Sequence, residues 1–247
     1  NMLVRLPCAA EYAGQVEKEQ QWLPKLAPHL PLVIPEPIAM GIPSDSYAWS
    51  WSVYKWIDGE STATATVADT DEFAAILANF LNSLQSIDAT DGPLPGAQNF
   101  YRGGDLKNYD TDTRQALAAL SDKIDVATAT KIWELALESS WQHDPVWVHG
   151  DISTGNLLVN KDRLCAVIDF GQLAVGDPAC DLSIAWTLFK DKSRNIFREK
   201  LLLDTATWAR GSAWTLWKAI IVATRQTETN TIESQRCWSI INEVLTD

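Results

Sequence analysis

Three polar residues stand at set spacing along one stretch of the sequence. They are Asp151 in His149-Gly150-Asp151, Asn156 five positions on, and Asp169 thirteen beyond that, followed by Phe170-Gly171. Each lies where an apolar run begins or ends. Val146-Trp147-Val148 precedes the first, Leu157-Leu158-Val159 follows the second, and Leu164 to Ile168 lead into the third. Phosphoryl transfer from a nucleotide needs one carboxylate to orient and deprotonate a hydroxyl. It also needs an amide oxygen and a second carboxylate to hold Mg²⁺ on the phosphates. The order and spacing match a kinase catalytic loop followed by Asp-Phe-Gly. Taken singly the residues have plainer readings: Asp151 capping turn amides, Asp169 ending a strand, His149 packing under the loop rather than acting as a base.

The segments around these residues read as elements able to position them. Residues 146–149, 156–159 and 163–168 form three short strands with a turn at Asn160-Lys161-Asp162, so one small β unit presents the three groups. Upstream, a strand over 2–6 ends at Pro7, and Tyr12, Val16, Leu23 and Leu26 mark an amphipathic helix over 11–27. A short strand is expected at 37–41, and the aromatic, β-branched run at 49–59 reads as another, closing at Asp58-Gly59. Phe73, Ile76, Leu77, Phe80, Leu81, Leu84 and Ile87 mark one helical face, with Asp69 or Thr70 as its cap. Helices follow near 112–124 and 127–142. Asp177-Pro178 opens another through Phe189 as an N-cap with proline in the first turn, and three more fill 194–246. The expected fold class is α+β with two lobes, residues 1–57 and 58–247, meeting at a seam near residue 57.

Composition narrows the partners. The formal charge of −12 argues against nucleic acid and anionic membranes, which call for basic patches, and permits a cationic ligand. No run approaches the eighteen or so apolar residues of a membrane span. The four cysteines lie far apart, without metal-like pairs, which suits a reducing, cytoplasmic compartment.

The segments HGDISTGN (149–156), VIDFG (167–171) and GDPACDLS (176–183) resemble the aminoglycoside phosphotransferases, a family of kinase-like antibiotic phosphotransferases. The first two segments are shared with choline kinases and other small-molecule kinases of that fold. The likeness implies a bilobal kinase-like fold that uses Mg²⁺ with ATP or GTP, with Asp151 as the catalytic carboxylate and Asn156 and Asp169 as metal ligands. It further implies that Arg5 meets the nucleotide phosphates with Glu19 as its ion-pair partner, and that Lys55, Trp56 and Ile57 form the hinge against the adenine edge. It gives Asp181 the task of anchoring the loop backbone, beside the plainer one of facing a helix dipole.

Two features depart from the family pattern. Arginine stands where lysine is usual, and the two are not interchangeable. No Gly-rich phosphate loop precedes it, since Gly14 and Gly41 are the only glycines in the first 50 residues. The chain opens on Asn1 in mid-strand, so an upstream segment bearing that loop is expected to be absent from this sequence.

The implied acceptor is a small hydroxylated molecule, with an aminoglycoside first and a macrolide or other metabolite second. The oligomeric state is left open. A catalytically silent nucleotide-binding module and a metal-dependent hydrolase built on His149, Asp151 and Asp169 are the alternatives. Among the 12 tryptophans, Trp214 and Trp217 sit three apart on one face, which favours core over a ligand platform. Glu228 and Glu233 are candidate contacts for an amine.

Overall fold

The computed structural model describes residues 1–225 and 231–247. Three antiparallel strands, β1 (Met2–Arg5), β2 (Pro37–Gly41) and β3 (Trp51–Lys55), form a sheet in the order β1-β3-β2. The two-residue period of β3 buries Ser52 and Tyr54 while Trp51 and Val53 stay half-buried. The register sets Arg5 opposite Ser52. Helix α1 (Ala10–Leu26) packs on β2 and β3 and on the turn at 170–172. Its buried stripe runs Val16, Glu19, Leu23, Leu26, steps of three and four that fit a helix face. A buried glutamate within that stripe is out of place unless something pairs with it.

Helix α2 (Thr70–Gln85) is the central core element. Asp69 caps it by accepting from the backbone amides of Asp71 (3.0 Å) and Glu72 (2.9 Å). Phe73, Leu77, Phe80, Leu81 and Leu84 are all sealed from solvent. They pack on α6 (Asp191–Leu201), and Phe73 also meets Phe189, just ahead of that helix, at 6.1 Å between ring centres.

The segments that hold the polar triad differ from expectation. The strands β5 (Val146–Val148), β6 (Leu157–Asn160) and β7 (Arg163–Val167) do not form one unit. β6 pairs with β7 and with the two-residue strand β4 (Glu60–Ser61), whereas β5 pairs with β8 (Ala174–Gly176). β7 ends where Asp169 takes a left-handed backbone (φ 65°), and the chain then returns beside β5. The loop 149–156 therefore passes from one small sheet to another. The turn joining β6 to β7 does fall as expected, with Lys161 and Asp162 both left-handed, the pattern of a tight two-residue hairpin.

Helices α3 (Asp110–Ala119), α4 (Val126–Leu137), α5 (Ile184–Thr187), α7 (Thr205–Arg225) and α8 (Thr231–Thr246) complete the fold. The helix expected at Asp177-Pro178 begins as a 3₁₀ turn over Pro178–Ser183, with Asp177 capping Ala179 at 3.0 Å, before α5. Eight α-helices and small antiparallel sheets among the described residues make the fold α+β. None of those helices is long and apolar enough to cross a membrane.

Candidate active site

The loop after β5 is braced on every side. Asp181, fully buried, accepts from the backbone amides of His149 (2.8 Å) and Gly150 (2.7 Å). The His149 ring is buried against Phe170. Its Nδ1 accepts from the Asp151 amide (3.2 Å), so the ring proton sits on Nε2, which donates to the Ile168 carbonyl (3.0 Å). Burial pulls the His149 pKa below its usual value, so the neutral ring acts as a strut between the loop and the end of β7. Gly150 has φ +83°, and a Cβ there would stand 2.5 Å from the Gln172 carbonyl. Arg102 Nε donates to the Gly150 carbonyl at 2.9 Å.

This bracing presents Asp151 and Asn156 together. Asn156 Nδ2 donates to the Asp151 carbonyl (2.9 Å) and to its Oδ2 (3.1 Å). Asp151 Oδ1 lies 2.5 Å from Lys218 Nζ of α7. Burial works to raise the Asp151 pKa, but the charge and hydrogen bond of Lys218 prevail and hold it below the ordinary carboxylate value.

Asp169 meets the N-terminal segments. Its Oδ1 is 2.5 Å from Arg5 Nη2, while Arg5 Nη1 is 2.9 Å from Glu19 Oε1. Glu19 also accepts from the Tyr54 hydroxyl. Burial raises the Glu19 pKa, opposed by the Arg5 charge. The neighbouring Lys18, its pKa pulled down to about 8 by burial, donates to the Gly171 carbonyl at 2.8 Å. Adjacent residues of α1 thus hold both Arg5 and the Asp169-Phe170-Gly171 turn. A cavity of about 350 Å³ opens beside them, lined by Arg5, Glu19, Tyr54 and Asp169 among others.

Lys55, Trp56 and Ile57 do not line that cavity. They lie at the end of β3, where the Lys55 amide donates to Glu36 O (3.0 Å) and the Trp56 amide to Asn1 O (3.2 Å). Of the three backbone donors expected to face a nucleotide base, only that of Ile57 makes no hydrogen bond among the described residues. Trp214 and Trp217 stack on Tyr109 and Arg102, the packing role favoured from sequence. Asp177 pairs with buried Arg210 (2.6 Å) besides capping its turn. Glu228 and the side chain of Glu233 lie outside the described residues.

A family model described as "Phosphotransferase enzyme family" matches residues 1–214. The chain belongs to this family. Within the family it is 30% identical over 139 residues to an aminoglycoside 3'-phosphotransferase of Niallia circulans, covering 53% of this chain and 52% of the relative. It is 32% identical over 65 residues to the aminoglycoside 3'-phosphotransferase of Escherichia coli, covering 26% and 24%. The chain thus spans about half the length of the first of these relatives and about a quarter of the second. Among solved structures, the GDP complex of aminoglycoside 2'-phosphotransferase-IIIa superimposes with a TM-score of 0.67 at 18% identity, covering 99% of this chain and 86% of that one. Macrolide 2'-phosphotransferase MphH from Brachybacterium faecium gives 0.62 at 21%, covering 98% and 84%. At such identities the likeness to these members is one of fold.

Four contacts of the site were not readable in the sequence: Lys18, Arg102, Lys218 and Arg236, which donates to Thr154 Oγ1 at 2.6 Å. The one available signal was Lys18, a charge beside Glu19 on the buried side of an amphipathic helix.

Proposed function

We propose that the chain is an O-phosphotransferase that moves the γ-phosphoryl group of ATP or GTP to a hydroxyl of a small molecule. The observation that carries this reading is the convergence of distant segments. Arg5 of β1 spans Glu19 of α1 and Asp169 after β7, next to a loop that presents Asp151 and Asn156. The related structures with GDP bound support a nucleotide as donor.

In this reading residues 1–57 form the nucleotide-binding lobe and residues 58–247 the lobe with the catalytic loop. Arg5, oriented by Glu19, faces the phosphates, and Ile57 offers its amide to the base, with Lys55 and Trp56 shaping the hinge. Asp151 accepts the proton of the acceptor hydroxyl. The hydroxyl oxygen forms its bond to the γ-phosphorus as the bond from that phosphorus to the β–γ bridging oxygen breaks, and the nucleoside diphosphate leaves. Asn156 Oδ1 and the Asp169 carboxylate suit Mg²⁺, which prefers hard oxygen donors. Asn156 spends its amide nitrogen on Asp151, which leaves its oxygen for the metal. When bound, Mg²⁺ offsets the charge that builds on the phosphates. Positioning and charge stabilisation supply most of the rate gain. A cytoplasmic setting, where nucleoside triphosphates are at hand, belongs to the same proposal. Aminoglycosides come first and macrolides second by family likeness.

The test is ADP and GDP release with Mg²⁺ across hydroxylated acceptors. Acceptor-dependent release should fall by about 10³-fold or more in Asp151→Asn, as loss of a proton acceptor and a positioning contact together would give. Acceptor-dependent release unchanged by that substitution would sink the assignment of Asp151, and nucleotide binding without release on any acceptor would leave the silent nucleotide-binding module.

A further inference from the structure

Behind the catalytic loop lies a second cavity of about 350 Å³. Ile152 to Gly155 wall one side, and α7 and α8 supply Lys218, Arg236 and Ile240 on the other. Its described lining contains two cations and no carboxylate. Both stand out in a chain of formal charge −12. Both cations bear on the catalytic loop. Lys218 reaches Asp151 Oδ1 at 2.5 Å, and Arg236 reaches Thr154 Oγ1 at 2.6 Å. Neither is sealed in the core. The Lys218 side chain is 48% exposed and Arg236 is exposed, so both can turn toward a ligand.

We propose that the acceptor bears an anionic oxygen group, a carboxylate or a phosphate ester, near the hydroxyl to be phosphorylated, and that Lys218 and Arg236 recognise it. The inference rests on the phosphotransferase reading and narrows it, departing from the cationic acceptor that net charge and family likeness suggest. A guanidinium matches a carboxylate or phosphate with two parallel hydrogen bonds, whereas an ammonium supplies a point charge. A polycationic acceptor would instead bring like charges against Lys218 and Arg236. An acceptor anion also draws Lys218 away from Asp151, which frees Oδ1 for the hydroxyl proton. Arg236 is then a specificity-determining residue, and Lys218 couples acceptor binding to exposure of the catalytic carboxylate.

The experiment uses the full chain with Mg-ATP and acceptors that share a skeleton but differ in charge: gluconate, glucose and glucosamine. Glucose 6-phosphate adds a phosphate arm, glycerate a shorter hydroxy acid and kanamycin a polycation. ADP release should favour an anionic acceptor over its neutral counterpart by about ten- to hundredfold in kcat/KM, the range of a charged hydrogen bond. Most of that preference should appear in KM. Gluconate and glucose 6-phosphate tell the carboxylate from the phosphate. Arg236→Gln should collapse the anionic-to-neutral ratio toward one, Arg236→Lys should keep most of it, and Arg236→Glu should shift preference toward glucosamine. Preference for neutral or cationic acceptors, transfer to these with none to any anionic acceptor, or a ratio indifferent to Arg236→Gln would each overturn the proposal. Release that persists in Asp151→Asn would instead overturn the phosphotransferase reading beneath it.

Discussion

Asp181 sets two opposing effects against each other, and their balance can be read by changing one atom. Burial disfavours its charged form, while amides from His149 and Gly150 at 2.8 and 2.7 Å favour it. Burial prevails, and the pKa rises from 3.8 to about 7. Below pH 4 the group is protonated in both native and unfolded chains. Between pH 4 and pH 7 the native chain keeps a proton that the unfolded chain has released, so rising pH removes stability. Above pH 7 both forms are ionised and the slope from this group vanishes. At about 1.4 kcal/mol per pKa unit, a rise of about three units removes about 4 kcal/mol across that window. Asp181→Asn keeps the shape of the side chain but cannot titrate. The advantage of the wild-type chain over the variant should therefore be largest at pH 4 and below and shrink by several kcal/mol by pH 7.5. Urea unfolding of both chains at four pH values measures this difference, and other carboxylates cancel in the comparison. If the wild-type chain gains on the variant as pH rises, the two amides outweigh burial and the reasoning is refuted.

Gly150→Ala should lower stability by about 2 kcal/mol or more, since the backbone is left-handed and the new Cβ would meet the Gln172 carbonyl at 2.5 Å. Thermal unfolding measures the loss, and an unshifted Tm would show that the loop relaxes freely. Arg210→Met strands the buried Asp177 carboxylate and should cost about 3–5 kcal/mol. Adding Asp177→Asn should recover part of that loss, so strictly additive effects in denaturant would show that the two side chains are uncoupled.

What the sequence disclosed follows from the distance over which each feature is determined. Helix α2 was legible because its apolar stripe and its Asp69 cap are local. The spacing of Asp151, Asn156 and Asp169 was legible because one short segment holds all three. The sheets were not, since β8 has three residues and β4 two, too few for a period to show. The pairing of β5 with β8 in place of β6 depends on the left-handed turn at Asp169. Arg5 and Glu19 had no local mark and entered only through family likeness. Arg102, Lys218 and Arg236 lie 48 to 82 residues from their partners, and no pattern within a helix or strand reports such a contact.

Each of the two carboxylates assigned to the chemistry is held by a cation from a distant segment, and exposure decides what those pairs do. Arg5 and Asp169 are 35% and 43% exposed, and Lys218 and Asp151 are 48% and 20%. Ion pairs this open to water contribute about 1 kcal/mol or less. Arg210 and Asp177, at 4% and 10%, form the contrasting case. Separating them would leave charge in the core, so that pair is part of the scaffold. The open pairs are weak enough to exchange. In the proposed reaction, a triphosphate beside Arg5 or an anionic acceptor beside Lys218 would offer the cation a partner at least as good as the one it leaves, and the freed carboxylate would be the group assigned to the chemistry. Ligand binding would thus unmask Asp151 and Asp169, while Asp181, His149 and Arg102 brace the loop that carries Asp151.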